Sequence, residues 1–318
     1  MLDVLYYPVS GLMWAWHQLF GALLGPTSGL SWALAVVFLV LTVRALLVRP
    51  ALRQMRSARR MRVLGPELAR LRERHRGDTR RLAEQTRALH AAHGTSPLAG
   101  MAPLLLQLPV FVALLHVLRS FNRPGLSLEA NAAIANYAFG ADDVRSFLQA
   151  RLFGAPLSAW MSMPSDLLDS FGGAPVAHAH VVAVVVPLAV LAAVATHLSA
   201  RLSRRRVPAP EPGADPAAAL MSRITGVLPW VLPIGVLGGG LLFPVPVALL
   251  LYWLTGSVAT LVQQWLLARI VDREPLPERP PERTPEPEAV RRATGPRPGR
   301  KPLPGQKPLP GRTARRAH

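Results

Sequence analysis

LSWALAVVFLVLTVRALLV, residues 30–48, is an apolar run that contains a single charged residue, Arg44. At about 1.5 Å per residue, a helix of this length crosses most of a bilayer core. A charge at the centre of a spanning helix costs roughly 2.5 to 3.5 kcal/mol, and less near the ends, where a long side chain reaches the headgroups. Arg44 lies near the end of the run, so two interpretations stay open: a snorkelling side chain or a buried polar site.

Apolar stretches recur along the whole chain, and half of its 318 residues are apolar. This composition excludes an ordinary soluble domain and predicts an all-α polytopic membrane protein. Each stretch is near the ~20 residues that a helix needs to span lipid. The five predicted transmembrane helices of the bundle are residues 29–48, 101–119, 180–200, 223–243 and 247–270.

The N-terminal residues 1–28 carry no lysine or arginine and have Asp3 near their start, which is unlike a cleavable signal peptide. We therefore expect an extracytoplasmic N-terminus. Apolar residues alternate with Tyr6, Tyr7, His17 and Gln18 here, a pattern typical of a helix that lies in the outer membrane interface. The alternative is a sixth span.

The basic residues are distributed very unevenly between the segments that connect the predicted spans. Thirteen lie in 49–98, four in 119–177, five in 201–223 and thirteen in 269–318. Five spans with the N-terminus outside place 31 of the 36 in the cytoplasm, as the positive-inside rule requires. The C-terminus is then cytoplasmic. The net charge of +18 needs no DNA partner, although basic cytoplasmic segments also attract anionic lipid or a ribosome.

The cytoplasmic segment 49–100 is predicted to form a basic helical hairpin. Gly65 and Pro66 break its first helix, and Asp78 is a good N-cap for a second helix that stops before Gly94. The spacing of its residues does not distinguish a solvated hairpin from one that contacts the membrane surface or a ribosome.

The remaining connections differ strongly in composition. Residues 120–179 form an extracytoplasmic segment with amphipathic patches, and 201–222 form a cytoplasmic loop. Residues 271–318 are rich in proline and arginine and are predicted to be a disordered cytoplasmic tail. This tail either holds ribosomes or anionic lipid, or only keeps the chain soluble.

Catalytic and metal-binding motifs are not found. The chain has no cysteine. The pairs His90–His93 and His178–His180 have no third ligand at a spacing that is typical of a metal site. It also has no phosphate-binding glycine loop, zinc-protease helix or nucleophile elbow. The sequence therefore predicts neither a cofactor, a metal nor an enzyme.

An ordered series of motifs covers residues 3–270. The motifs are Thr42-Val43-Arg44, Arg49-Pro50, Pro66-Glu67, Gly94, Pro97, Gly100, Pro103, Gln107, Pro109-Val110-Phe111, Phe139-Gly140-Ala141-Asp142-Asp143, Ala150-Arg151-Leu152-Phe153-Gly154-Ala155-Pro156-Leu157, Thr196-His197, Leu251-Tyr252-Trp253-Leu254 and Gln263-Gln264. This series resembles the YidC-type membrane insertases, the family that includes the mitochondrial and chloroplast insertases, and in particular their actinobacterial branch.

The chain departs from the family pattern at three places. These are Thr95-Ser96-Pro97 and Met101-Ala102-Pro103, where asparagine and a cysteine-leucine pair are commoner, and Gly256-Ser257, where asparagines often occur. Fewer asparagines remove interhelical hydrogen bonds worth only ~0.6 to 2 kcal/mol each, so we expect the same fold with a less polar groove.

The resemblance implies a membrane insertase. Such a protein moves the polar tails of nascent membrane proteins through a hydrophilic groove and releases their hydrophobic helices into lipid, without nucleotide hydrolysis. The implied partners are nascent clients, the ribosome and the Sec translocon, in a bacterial plasma membrane. The implied groove residues are Arg44, Thr42, Gln107, His116, Trp253, Thr255 and Ser257, and the implied guides for client helices are Val110, Phe111, Leu114 and Tyr252.

Three alternatives accompany this interpretation. Each polar groove residue also fits an ordinary interhelical hydrogen bond. A small-solute transporter or channel would use Arg44 as an anion site, but the internal repeat that transporters commonly carry is not seen. A purely structural assembly factor for membrane complexes is not separated from an insertase by any residue pattern.

Overall fold

Helices make up most of the computed structural model of the protein, which describes residues 3–94, 102–123, 125–171, 176–205 and 216–275. The only strands within these residues are two short antiparallel ones, β1 and β2. The elements in chain order are α1 (Asp3–Leu24), α2 (Gly29–Leu46), α3 (Val48–Val63), α4 (Gly65–Arg74), α5 (Thr79–Ala92), α6 (Ala102–Arg119), α7 (Leu128–Ala132), α8 (Ala141–Gln149), β1 (Arg151–Leu152), β2 (Ala155–Pro156), α9 (Ser165–Asp169), α10 (His178–Arg204), α11 (Pro216–Leu242) and α12 (Val247–Arg273).

Three of the described helices, α2, α10 and α12, are long and apolar enough to cross a membrane. Shorter apolar helical stretches cover Pro109–Arg119 in α6 and Gly226–Leu242 in α11. The class predicted from composition, an all-α membrane protein, agrees with this architecture. The five-span count, the cytoplasmic hairpin and the interfacial position of α1 stay predictions. Most of the predicted tail, residues 276–318, lies outside the described residues.

Helix α12 contacts more of the long helices than any other element in the described structure. It packs against α2, α6 and α10 and against the start of the predicted hairpin in α3. Helix α1 packs on α2 and α6, and α11 packs on α10.

A proline pair in α11 creates one of these contacts. Pro233 has no N–H, so the carbonyl of Pro229, four residues earlier, has no helical donor. His197 of α10 supplies the missing hydrogen bond, with 2.7 Å between Nδ1 and the Pro229 oxygen. The neighbouring helix thus supplies the hydrogen-bond donor that this carbonyl lacks within its own helix.

The segment 125–171, here named the cap, covers one end of the bundle. It is attached to α2 through Trp32, which is fully buried and donates from Nε1 to Ser146 Oγ at 3.0 Å. It is attached to α12 by backbone hydrogen bonds from Val247 N to Ala159 O and from Ala248 N to Leu157 O, at 2.9 and 3.0 Å. Because both α2 and α12 begin at the cap, the two helices run in the same direction through the bundle.

Gly29, the first residue of α2, lies directly against the backbone of β1. A Cβ atom at this position would be 1.8 Å from the carbonyl oxygen and 2.3 Å from the carbonyl carbon of Arg151. Backbone atoms of a paired strand do not move aside as the end of a flexible side chain does. The close approach of the cap to α2 therefore requires glycine.

We expect Gly29→Ala to lower the thermal unfolding midpoint of the purified protein, with a cost in unfolding free energy of roughly 1 to 3 kcal/mol or more from overpacking. Gly11→Ala is the matched control, since a Cβ at Gly11 of α1 meets nothing within 4 Å. An unchanged midpoint for Gly29→Ala would show that the cap does not approach α2 in this way.

Two arginines of α3 attach this helix to the C-terminal end of α12. Arg56 donates from Nε and Nη2 to the carboxylate of Glu274, at 2.9 and 2.5 Å from Oε1. Arg59 donates from Nη1 to the carbonyl oxygens of Val271 and Glu274. Cations at this position also interact favourably with the negative end of the helix dipole. We name these four residues the α3–α12 clasp.

The Arg56 contact of the clasp depends on the charge of Glu274. The hydrogen bond from Arg56 lowers the pKa of this carboxyl below its usual 4.5, against the smaller opposing effect of desolvation. A lowered folded-state pKa means that the ionised form is favoured by the native contact. The stabilisation is therefore complete above the unfolded pKa and is lost as the pH falls through the lowered folded pKa.

Glu274→Gln removes this charge at neutral pH, and we expect α3 to exchange its backbone amides with deuterium faster as a result. Hydrogen exchange followed by mass spectrometry measures this change. Asp272→Asn, two residues earlier, is the control because Asp272 is exposed and Arg56 and Arg59 do not bind it. Equal exchange of α3 in both variants would mean that the clasp does not hold the helix.

Candidate functional site

Helix α12 has a cleft on each of two sides. The first, named the Arg44 cleft, lies between α2 and α12 and has a volume of about 710 Å³. The second, named the polar cleft, lies between α10, α11 and α12 and has a volume of about 350 Å³. The two clefts differ in the chemistry of the side chains that line them.

Arg44 is half-buried at the wall of the first cleft. Its Nη2 donates to the carbonyl oxygen of Gly256 at 3.3 Å, and Thr260 Oγ1 donates to the same oxygen at 2.6 Å. Gly256 itself is buried. A fixed acceptor on a neighbouring helix thus binds the guanidinium inside the bundle.

The depth of this contact separates the two interpretations of Arg44. Arg44 is about 22 Å along α2 from its start at the cap, whereas Gly256 is only about 14 Å along α12. Since side chains of a helix point towards its N-terminus, the guanidinium extends towards the cap, away from the end at which α3 continues. This placement favours a buried polar site over snorkelling.

Apolar side chains surround the Arg44 guanidinium on the cleft side. The cleft is lined mainly by aliphatic residues of α2 and α12, and its other polar lining residues are Thr255 and Gln263. Within the described residues, no carboxylate lies at ion-pair distance from Arg44. An unneutralised positive charge beside apolar walls attracts anions strongly, because the local dielectric constant is low.

The polar cleft is lined by two matching series of hydroxyl and amide side chains, by Arg204 and by apolar residues, mainly of α11. Thr196 Oγ1 and Ser257 Oγ share a hydrogen bond of 3.0 Å, and Gln264 Nε2 donates to Ser203 Oγ, also at 3.0 Å. In the described structure Gln264 Oε1 is buried without a donor. The cleft therefore has an acceptor available for a polar guest or for water.

Sequence reasoning did not assign most of these polar residues, but a signal was present. Hydroxyl and amide side chains recur at i, i+3 and i+7 in both helices, which places them on one face of each. The two series are Thr196, Ser199 and Ser203 in α10 and Ser257, Thr260 and Gln264 in α12.

The predicted groove residues do not gather at a single place. Thr255 lines the Arg44 cleft and donates to Leu251 O within its own helix at 2.8 Å. Ser257 and Trp253 line the polar cleft on the other side of α12. The side chain of Gln107 lies outside the described part of the structure.

Thr42 and His116 lie away from both clefts. Thr42 Oγ1 accepts a hydrogen bond from Trp16 Nε1 of α1 at 3.1 Å and donates to Phe38 O. His116 is exposed at the cap end of α6, where its Nε2 is 2.6 Å from the hydroxyl of Tyr137. The structure thus places Thr42 in a helix contact and His116 in a separate cavity.

The predicted guide residues for client helices are divided between core and surface. Leu114 and Tyr252 are buried, and Val110 is half-buried. Phe111 is also half-buried, with its ring 6.1 Å from that of Tyr252 and 6.0 Å from that of Trp253. Phe111 therefore connects α6 to the aromatic pair of α12.

The fold and these clefts define a helical membrane protein in which one cleft is lined by an arginine that has no carboxylate partner among the described residues, and a second cleft is lined by hydroxyl and amide side chains. The family model for the 60Kd inner membrane protein matches residues 23–274, which is most of the chain. The chain belongs to this family, which confirms the resemblance to YidC-type insertases that the motifs indicate.

Curated relatives carry the name membrane protein insertase YidC. One from Mycobacterium tuberculosis is 40% identical over 307 residues, which covers 94% of this chain and 80% of the relative. One from Tropheryma whipplei is 33% identical, over 82% of this chain and 80% of the relative. One from Corynebacterium glutamicum is 32% identical, over 86% of this chain and 65% of the relative.

Proposed function

We propose that this chain is a membrane protein insertase, the activity named for its relatives, and that Arg44 receives the polar tail of the client. The observation that supports this role is the hydrogen bond of Arg44 to Gly256. It holds the guanidinium inside the bundle, while the Arg44 side chain also lines the Arg44 cleft. Neither nucleotide hydrolysis nor a covalent step is part of the proposal.

The proposed topology has five spans, an extracytoplasmic N-terminus and a cytoplasmic C-terminus. The charge distribution supports it, since 31 of the 36 basic residues then face the cytoplasm. The cap lies outside in this orientation and the basic hairpin 49–100 lies inside. Helix α1 is proposed to lie at the outer interface, and residues 201–222 and 271–318 are proposed to be cytoplasmic.

The energetic obstacle to insertion is the desolvation of the client's polar tail. Polar groups moved from water to an apolar medium without hydrogen-bond partners cost several kcal/mol each. A cleft that offers a cation and hydrogen-bonding side chains part-way through the bilayer replaces some of the lost solvation. With the outside positive, each negative charge that moves outward also gains about 2.3 kcal/mol per 100 mV.

The two clefts have separate tasks in this proposal. Arg44 attracts an acidic tail on one side of α12, while the polar cleft with Ser257 and Gln264 supplies hydrogen bonds on the other side. Phe111 and Trp253 are half-buried and adjacent, which fits an aromatic surface that contacts the client's apolar helix. The helix leaves into lipid because its apolar surface partitions there spontaneously.

Further partners are proposed from charge. The basic hairpin and the tail have a charge that suits ribosomal RNA or anionic lipid. The Sec translocon is proposed as a partner from the family alone.

The test is insertion of a single-span client into proteoliposomes that contain the full chain, measured by protease protection of the client tail. With an acidic tail, we expect Arg44→Ala to reduce insertion at least about tenfold, since the loss of ~1.4 kcal/mol is sufficient for that factor. Arg44→Lys keeps the charge and should retain most insertion. Arg53→Ala is the matched control, because Arg53 is exposed on α3 and lines neither cleft.

A second client with a basic tail distinguishes charge attraction from a packing role. We expect Arg44→Ala to impair the acidic client far more than the basic one. Equal loss for both clients would assign Arg44 to the structure of the bundle, and equal insertion by all variants would refute the proposed role of Arg44.

A further inference from the structure

A third cavity, of about 670 Å³, lies at the cap end of α6, and no part of the proposed insertion mechanism uses it. Residues of α1, the end of α6 and the loop after α7 form its wall. Its described lining contains two arginines, one histidine and three tyrosines but no carboxylate. These residues are Tyr6, Tyr7, His116, Arg119, Arg123 and Tyr137.

The positive charge of this cavity is unusual for its part of the chain. Only four basic residues occur in 119–177, and two of them, Arg119 and Arg123, line this one cavity. Arg119 is exposed, and Arg123 is half-buried. Such a concentration suits an anionic ligand, because guanidinium groups bind oxyanions through several parallel N–H donors.

Arg123 has an unused donor at this site. Its Nη2 donates to the carbonyl oxygen of Ala135 at 3.3 Å, which fixes the guanidinium plane. Its Nη1 is buried and has no acceptor among the described residues. A buried charged donor without an acceptor is costly.

The aromatic wall is held rigidly. Tyr137 has a left-handed backbone, with φ of 53°, which is uncommon for a residue other than glycine. Its hydroxyl is 2.6 Å from His116 Nε2, and the ring of Tyr6 stacks on His116 with 4.2 Å between centroids. Burial, with smaller effects of Asp3 and the neighbouring tyrosines, raises the pKa of Tyr137.

The order of residues along α6 indicates which kind of anion fits. Val112, His116 and Arg119 follow one another at spacings of four and three within α6, so they lie on one helical face, and Arg123 comes four residues after the end of this helix. Val112 is 38% exposed and lies about 10 Å before Arg119, towards the middle of the apolar helix. The cavity is thus apolar on the membrane side and cationic on the cap side, and tyrosines are typical of a membrane–water interface.

We propose that this cavity binds an anionic glycerophospholipid of the leaflet that faces the cap. Arg119 and Arg123 contact the phosphate, the tyrosine hydroxyls contact the headgroup, and Val112 and Leu115 contact the upper part of an acyl chain. A free phosphate ion would use the same two arginines but would gain nothing from the apolar face of α6.

The experiment uses the full chain, delipidated in detergent, without client. Native mass spectrometry measures the affinity for phosphatidylglycerol, for phosphatidylcholine with the same acyl chains, and for inorganic phosphate. We expect preference for phosphatidylglycerol, and a loss of affinity of about tenfold, or ~1.4 kcal/mol, in Arg119→Gln, which removes the charge of one of the two arginines. Arg119 is exposed, so this variant should fold normally.

Arg123→Gln should weaken binding at least as strongly, and its unfolding midpoint without lipid shows whether the lost bond to Ala135 disturbs the cap. Arg145→Gln is the matched control: Arg145 is exposed on α8, 3.6 Å from Asp142, and does not line the cavity. Unchanged phosphatidylglycerol binding by Arg119→Gln would overturn the proposal. So would equal affinity for phosphatidylcholine, or inorganic phosphate that binds as tightly as the lipid.

Discussion

The Gly256 carbonyl oxygen accepts a hydrogen bond from the Arg44 guanidinium. This bond is required because a charge within an apolar bundle is tolerated only with a hydrogen-bond acceptor close to it. This requirement constrains how α2 and α12 lie against each other. Both helices start at the cap, and the arginine extends from the last turns of one to the middle of the other.

Helix α12 joins the parts of the molecule that surround this contact. Its first residues form backbone hydrogen bonds to the cap, and its last residues accept the arginines of the α3–α12 clasp. Between these ends it presents Thr255 to one cleft and Ser257 to the other. Residues two positions apart on a helix point about 200° apart, so a single helix can line an anion-attracting cleft on one side and a hydrogen-bonding cleft on the other at nearly the same depth.

The predicted groove residues show that the rotation of a spanning helix about its axis is difficult to predict from its sequence. Thr42, two residues before Arg44, contacts Trp16 of α1 and not the cleft. His116 lies in the cavity at the cap end of α6. A helix that is apolar on all sides has no amphipathic pattern from which its orientation can be inferred. Only the packed neighbours decide which of its few polar residues share a cleft.

The sequence by itself determined the membrane class and the family and predicted a role for Arg44, because long apolar runs, ordered motifs and an isolated charge within an apolar run are properties of the linear chain. Tertiary structure alone decided that Gly256 receives this charge, that Thr196 and Ser257 meet across two helices, and that Arg119 and Arg123 share a cavity with Tyr137. These contacts join residues far apart in sequence, whose distances depend on the rotation and depth of each helix. Side-chain packing sets both quantities, and the local sequence of any one helix does not.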